Sequence, residues 1–223
     1  MPPSSDSFLL RLRSADPDRF FCTLFAPADK REALALLYLF NHELARAHEV
    51  ASEQLLAMIR LQWWREVVEG ASRKHEVATP LSAALEAGVF AREDLLALIE
   101  AREAGAELED AASFHAYARG TGGRLARIAG KLLGADSQAV EDLGTAYAIS
   151  GILRATSLRP QDGTADAELI AHAKALLAAK PPRIALAAAL PAAFARRDLG
   201  RPCGPRGLAD RMSVLCAALT GRV

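Results

Sequence analysis

Cysteine is scarce in this chain: three among 223 residues, Cys22, Cys203 and Cys216, with no CxxC pair. Zinc ligands cluster, and disulfide frameworks use dense, even sets of cysteines. Neither is expected here, and the thiols read as free in a reducing compartment. Aromatic residues are also few, at 6%. Alanine and leucine must then supply most of the apolar surface, and both are strong helix formers. There is no net charge, because 27 Lys and Arg balance 27 Asp and Glu. A neutral chain has no overall field to attract nucleic acid, so no nucleic-acid partner is expected. No window approaches the ~20 apolar residues of a membrane span. The opening MPPSSDSFLLRLRSADPDRFF has no apolar core of signal-peptide length. The expected location is the cytoplasm. Alternation of period two, internal repeats and low-complexity tracts are missing too, which leaves no support for strands or solenoids.

What is present is helical periodicity on a 51% hydrophobic chain, enough for a sizeable core. Asp29 to Val50 places Leu34, Leu37, Tyr38, Asn41, Leu44 and Ala45 at helical spacing. A second run after Ser52 carries Leu55, Ile59, Trp63 and Val67 and stops at Gly70. Shorter helices fit Leu81 to Phe90 and Glu93 to Glu103. Two long ones fit Ala111 to Leu133, with Gly134 as its stop, and Ser137 to Leu158. After the loop RPQDGTAD, helices fit Ala167 to Ala179, Ile184 to Arg197 and Leu208 to Leu219. The length favours one domain, and the pattern predicts an all-α, single-domain helical bundle over 1–223.

The common catalytic motifs fail in turn. His42-Glu43 begins like HExxH, but Arg46 occupies the second ligand position. Gly120-Thr121-Gly122-Gly123 follows no strand, so it is not a dinucleotide loop. Gly130-Lys131 lacks the flanking residues of a P-loop, and no GxSxG occurs. The five histidines form no pair three or four residues apart.

A combination remains. Tyr38 to Gly70, YLFNHELARAHEVASEQLLAMIRLQWWREVVEG, resembles the squalene/phytoene synthase family. It is most similar to the branch that includes a mitochondrial complex I assembly factor, with its FNxELA stretch and IRLQWWR-type helix. Tyr117 to Asp136, YARGTGGRLARIAGKLLGAD, resembles the family's helix of a tyrosine and small residues. Asp142 to Ala155, DLGTAYAISGILRA, resembles its second motif helix. The likeness runs over 16–159 in the family's order and implies the isoprenoid synthase fold.

The resemblance implies a chemistry and also a departure from it. The family's enzymes join prenyl diphosphates head to head, and Mg²⁺ held by carboxylates one helical turn apart neutralises the leaving group. By alignment on Tyr38 and Phe40, the first acidic positions fall on Ala45, Arg46 and Glu49. By alignment on Ile152-Leu153-Arg154, the second set falls on Ala155 and Arg159. Only Glu49 is a carboxylate. The fold is expected to carry over and the synthase activity is not. No catalytic residue, no metal ligand set and no cofactor are expected. Mg²⁺ returns only under the alternative of an active prenyltransferase of isoprenoid biosynthesis.

The residues that the resemblance places in the cavity, or around a ligand, are Tyr38, Asn41, Ala45, Glu49, Trp63, Tyr117 and Arg154. Three functional readings follow. The first is a non-catalytic assembly or interaction factor, with a protein partner in respiratory complex I assembly. The second is the active prenyltransferase. The third is a binder of isoprenoid lipid or prenyl diphosphate without chemistry. One of Trp63 and Trp64 is expected in the core, the other in the core, on a cavity wall or at a partner. The glycines of the 120–130 segment suit close helix packing or ligand approach. Arg60, Arg65, Arg124, Arg127 and Arg154 suit ion pairs or a phosphate grip. Basic residues around the apolar Ala167 to Phe194 segment suggest either a core helix or a place at the membrane surface, peripheral to the inner membrane.

Overall fold

The computed structural model describes residues 7–50, 54–106, 108–155, 163–200 and 204–223, with backbone only at 48–50, 54, 106, 163 and 164. It is all-α, with no strand among the described residues. Its contacts divide the chain into two compact units, Met1–Ile99 and Glu100–Val223.

The first unit begins with two short helices that the periodicity does not announce. Helix α1 spans Phe8–Ala15, and Ser7 caps it by accepting the Leu9 N–H at 3.2 Å. Helix α2 spans Pro17–Thr23. Asp16 caps it by accepting the Arg19 N–H at 2.9 Å, and Pro17 fills the first position, where no N–H is required. Each has seven or eight residues, too few to show a period but enough to show caps. Helix α3, Arg31–Val50, is the spine of the unit. Leu34, Leu37, Tyr38, Phe40 and Leu44 on it are all buried. The Glu32 carboxylate accepts from the Ser7 hydroxyl and from the Phe8 N–H at 2.9 Å, pinning α1 to the start of α3. Helix α4, Gln54–Glu69, ends at Gly70, whose positive φ of 117° is open to glycine at little cost. Helix α5, Ala78–Glu86, follows, and helix α6, Arg92–Glu103, runs from the first unit into the residues of the second.

The second unit is built around one central helix. Helix α7, Ala111–Ala118, starts in a reciprocal cap between Asp110 and Ser113. A single π turn, Arg119–Gly123, joins it to helix α8, Arg124–Leu133. The expected long helix over 111–133 is therefore two α-helices with a wide turn between them. Gly134, with φ 103°, stops α8 where the sequence places a stop. Helix α9, Gln138–Arg154, is buried over Val140, Leu143, Ala146, Ile149 and Ile152. Its partner is the π turn, at unusually close range. A Cβ on Gly144 would lie 2.3 Å from the Ala126 Cβ and 2.6 Å from the Gly122 carbonyl oxygen. One on Gly122 would lie 2.5 Å from the Ala148 Cβ, and one on Gly123 2.3 Å from the Thr145 hydroxyl. Glycine at these sites is a packing requirement.

The remaining helices wrap this core. Helix α10 spans Gly163–Leu176, beginning and ending earlier than its apolar pattern indicates. The expected continuous helix from Ile184 to Arg197 is broken into a 3₁₀ turn at Arg183–Ala185, helix α11, Leu186–Ala189, and helix α12, Pro191–Asp198. Pro191 has no N–H for the preceding turn and starts a new helix instead. Helix α13, Leu208–Thr220, ends at Gly221, φ 71°. Ala185 and Ala187 to Ala195 are buried, so this part of the apolar segment is core. No helix among the described residues is long and apolar enough to cross a membrane.

Candidate functional site

The α3–α4 pair of the first unit carries a cleft of about 340 Å³. Glu43, Arg46 and Ala47 of α3 form one wall, and Arg60, Trp63 and Trp64 of α4 the other. His75, from the loop ahead of α5, closes the end. The aromatic floor is rigid. Trp64 is buried edge-to-face against Phe40, with ring centroids 5.4 Å apart, and against Trp63 at 4.9 Å. His75 lies edge-on to both indoles, at 5.6 and 5.4 Å. Its Nδ1 accepts the Val77 and Ala78 N–H groups at 3.1 and 3.4 Å. These bonds fix the ring, and with Nδ1 accepting, a neutral His75 carries its proton on Nε2.

The two tryptophans split the roles that the sequence left open. Trp64 is core, and Trp63 is half-buried and faces the cleft. Arg46 and Arg60 are exposed, and neither makes an ion pair or hydrogen bond among the described residues. A guanidinium with its donors open beside indole faces suits a carboxylate or phosphate carried on an apolar body. Sequence reasoning singled out Trp63, Arg46 and Arg60 but missed Glu43 as a wall residue and His75 altogether. No spacing signal links His75 to Trp63. The loop between them makes the contact.

The other candidates are distributed differently. Tyr38, Asn41 and Ala45 share one face of α3, as their spacing of three and four requires. Glu43, Arg46 and Ala47 are on another, so the structure does not bring Trp63 to the Tyr38 face. Tyr38 is fully buried under the Arg19 guanidinium, 5.6 Å from its ring centroid. Burial pushes its hydroxyl pKa well above the ordinary tyrosine value. Asn41 is buried, and Ala45 is half-buried. The side chain of Glu49 lies outside the described residues, as does all of Arg159.

Tyr117 and Arg154 belong to the second unit. The Tyr117 hydroxyl accepts from Arg102 at 2.8 Å, and its ring packs in the core beside Ile149 and Ile152. Arg154 donates to Asp198 at 3.0 Å and to the Gly204 carbonyl at 3.2 Å. The same Asp198 accepts from Arg206 at 2.6 Å, and Arg206 stacks over Phe194. Arg127 is held by Asp136 and by Glu141, the latter at 3.0 Å, while Arg119 reaches Glu141 at 3.1 Å. In this unit Arg127 and Arg154, two of the arginines considered for a phosphate grip, are taken up by carboxylates, while Arg124 is exposed. Among the described residues no group of three His, Cys, Asp or Glu side chains is placed to hold a metal ion.

A model of the squalene/phytoene synthase family matches residues 12–165. The chain belongs to the squalene/phytoene synthase family. Within that family it is similar to proteins named "NADH dehydrogenase (ubiquinone) complex I, assembly factor 6". The Rattus norvegicus and Mus musculus proteins are each 30% identical over 168 residues, covering 69% of this chain and 50% of the relative. The Homo sapiens protein is 29% identical over 166 residues, covering 68% of this chain and 49% of the relative. The chain thus spans about half the length of the curated relatives it matches. The family match runs through the α3 and α4 walls of the cleft and the glycine-packed α8–α9 core.

Proposed function

We propose that this squalene/phytoene synthase family member works by binding, without catalysis, as an assembly or interaction factor, and that the process it serves is assembly of respiratory complex I. The observation that carries this reading is Arg46. It stands where the family resemblance places a metal-binding carboxylate, and it is an exposed guanidinium in the α3–α4 cleft. Ala45 beside it has no donor atom, and Ala155 and Arg159 repeat the loss in the second motif. Mg²⁺ requires several oxygen ligands, so the residues at these positions do not fit the family's metal. The similarity to assembly factor 6 supplies the process. In this reading both units form one synthase-like domain, and the protein is cytoplasmic and works at the face of the inner membrane.

The test is genetic and enzymatic together. Deleting the gene in its source organism is expected to lower assembled complex I, and restoring it to recover the complex. Purified protein with Mg²⁺ and farnesyl or geranylgeranyl diphosphate is expected to release no diphosphate. Turnover would favour the prenyltransferase alternative and overturn the proposal. A prenyl lipid retained in native mass spectrometry, with complex I unaffected by deletion, would favour the isoprenoid binder.

A further inference from the structure

Helix α4 continues beyond the cleft as an unusually apolar surface. Leu55, Leu56, Met58 and Ile59 are all exposed, Leu55 at 66% and Ile59 at 56%. Exposed apolar side chains scattered singly are ordinary, but four within five positions form a patch. Leu56, Ile59, Arg60 and Trp63 recur at spacings of three and four, so they make one stripe running down α4 into the cleft. The stripe is about 10 Å long, two turns of helix. Arg60 stands within it and Arg46 faces it from α3, while from Gln54 to Arg65 there is no acidic residue. Among the described residues lining the cleft, Glu43 is the one carboxylate, against two arginines.

We infer that this stripe and cleft dock an acidic amphipathic helix of a protein partner. The apolar side of such a helix, with side chains at i, i+4 and i+7, would lie along Leu56 and Ile59 and seat one large side chain against Trp63. Its flanking Asp or Glu would meet Arg46 and Arg60, whose donors have no partner among the described residues. Tryptophan and arginine beside an aliphatic rim are the residue types that carry most of the energy in protein interfaces. The inference rests on the binding reading above and names the partner's chemistry.

The test places p-benzoylphenylalanine at Ile59 in the full chain, in its source cell, and sequences the crosslinked peptide by mass spectrometry. The expected product joins Ile59 to a segment of another protein with apolar side chains at helical spacing and acidic flanks. Arg46→Glu with Arg60→Glu is expected to cut the crosslink at least tenfold with an unchanged melting temperature, since both residues are exposed. Crosslinks to lipid, to a second copy or to the chain's own segments would overturn the inference, as would no crosslink. So would a yield indifferent to the charge reversal. The two readings fail separately. An acidic helix from a protein unrelated to complex I would keep the docking inference and sink the assembly role. Loss of complex I on gene deletion, with the charge-reversed protein fully active and crosslinked, would do the opposite.

Discussion

Adding one methyl group to α9 is expected to have opposite effects at two positions seven residues apart. At Gly144 a Cβ would lie 2.3 Å from the Ala126 Cβ and 2.6 Å from the Gly122 carbonyl oxygen. Carbon atoms rest at about 3.5–4.0 Å, so α9 and the π turn must separate by roughly 1 Å. The oxygen belongs to backbone and cannot rotate away. Overpacking of this kind costs about 1–3 kcal/mol, and here the upper part of that range applies. The helix-propensity gain of alanine over glycine, about 1 kcal/mol, offsets part of it. Gly144→Ala is therefore expected to destabilise by about 2 kcal/mol, or roughly 4–8 °C in Tm for a chain of this size. At Gly151 a Cβ meets nothing within 4 Å. Gly151→Ala is expected to raise stability by about 0.5–1 kcal/mol, chiefly by restricting the unfolded chain. Thermal melts followed by far-UV circular dichroism read both. If Gly144→Ala melts at or above the wild type, or if the two variants move together, the close approach of α9 and the π turn is wrong.

Three further outcomes follow from the same structure. Asp198, with a side chain only 5% exposed, serves Arg154 and Arg206 together. Asp198→Asn should cost about 3 kcal/mol in urea unfolding because two guanidiniums lose their counter-charge, and a shift under about 0.5 kcal/mol would refute the pairing. The rings of His115 on α7 and His172 on α10 lie 3.9 Å apart, and burial first, then His172 and Arg119, holds the His115 pKa below its ordinary 6.5, with Asp142 opposing. The folded state then binds its proton less readily than the unfolded chain, so stability should be full above about pH 6.5 and fall as pH drops through the window below it. His115→Gln should flatten that part of the Tm–pH profile, and an unchanged profile would exclude His115 as its source. Magnesium titrated into the protein without diphosphate should give no binding heat in the micromolar range, and a site there would contradict the mismatch at Ala45 and Arg46.

Much of the architecture was legible in the sequence because long helices repeat their pattern. α3 buries nearly all the residues that its spacing selects, but on α4 the selected Leu55 and Ile59 are exposed, Trp63 is half-buried and only Val67 is in the core; Gly70 and Gly134 stop helices where expected. α1 and α2 were missed for want of length, although Ser7 and the Asp16-Pro17 pair announce their caps. The break at Pro191 was written in the chain and overridden by the apolar run around it. The cleft was half legible. Trp63, Arg46 and Arg60 belong to a recognisable helix pair, whereas His75 arrives through a loop. Asp198, which occupies Arg154, is 44 residues away from it and no local pattern connects the two. His115 and His172 meet only because α7 and α10 pack together.

The π turn at Arg119–Gly123 sets how the chain can change in length. A π turn takes five residues through roughly the arc that four take in an α-helix, so losing one residue there would return the segment to regular helix and withdraw the extra bare backbone that meets α9. Leu125, Ile128 and Leu133 would keep nearly the same face, but the close approach of Gly122 and Gly123 to α9 would be lost. Gaining a residue, with no second wide turn to absorb it, would swing the side chains beyond it by about 100°. The stretch from Tyr117 to Leu125 is thus held both in its letters, at Gly122 and Gly123, and in its length, and insertion scanning should find it far less forgiving than its exposed neighbours.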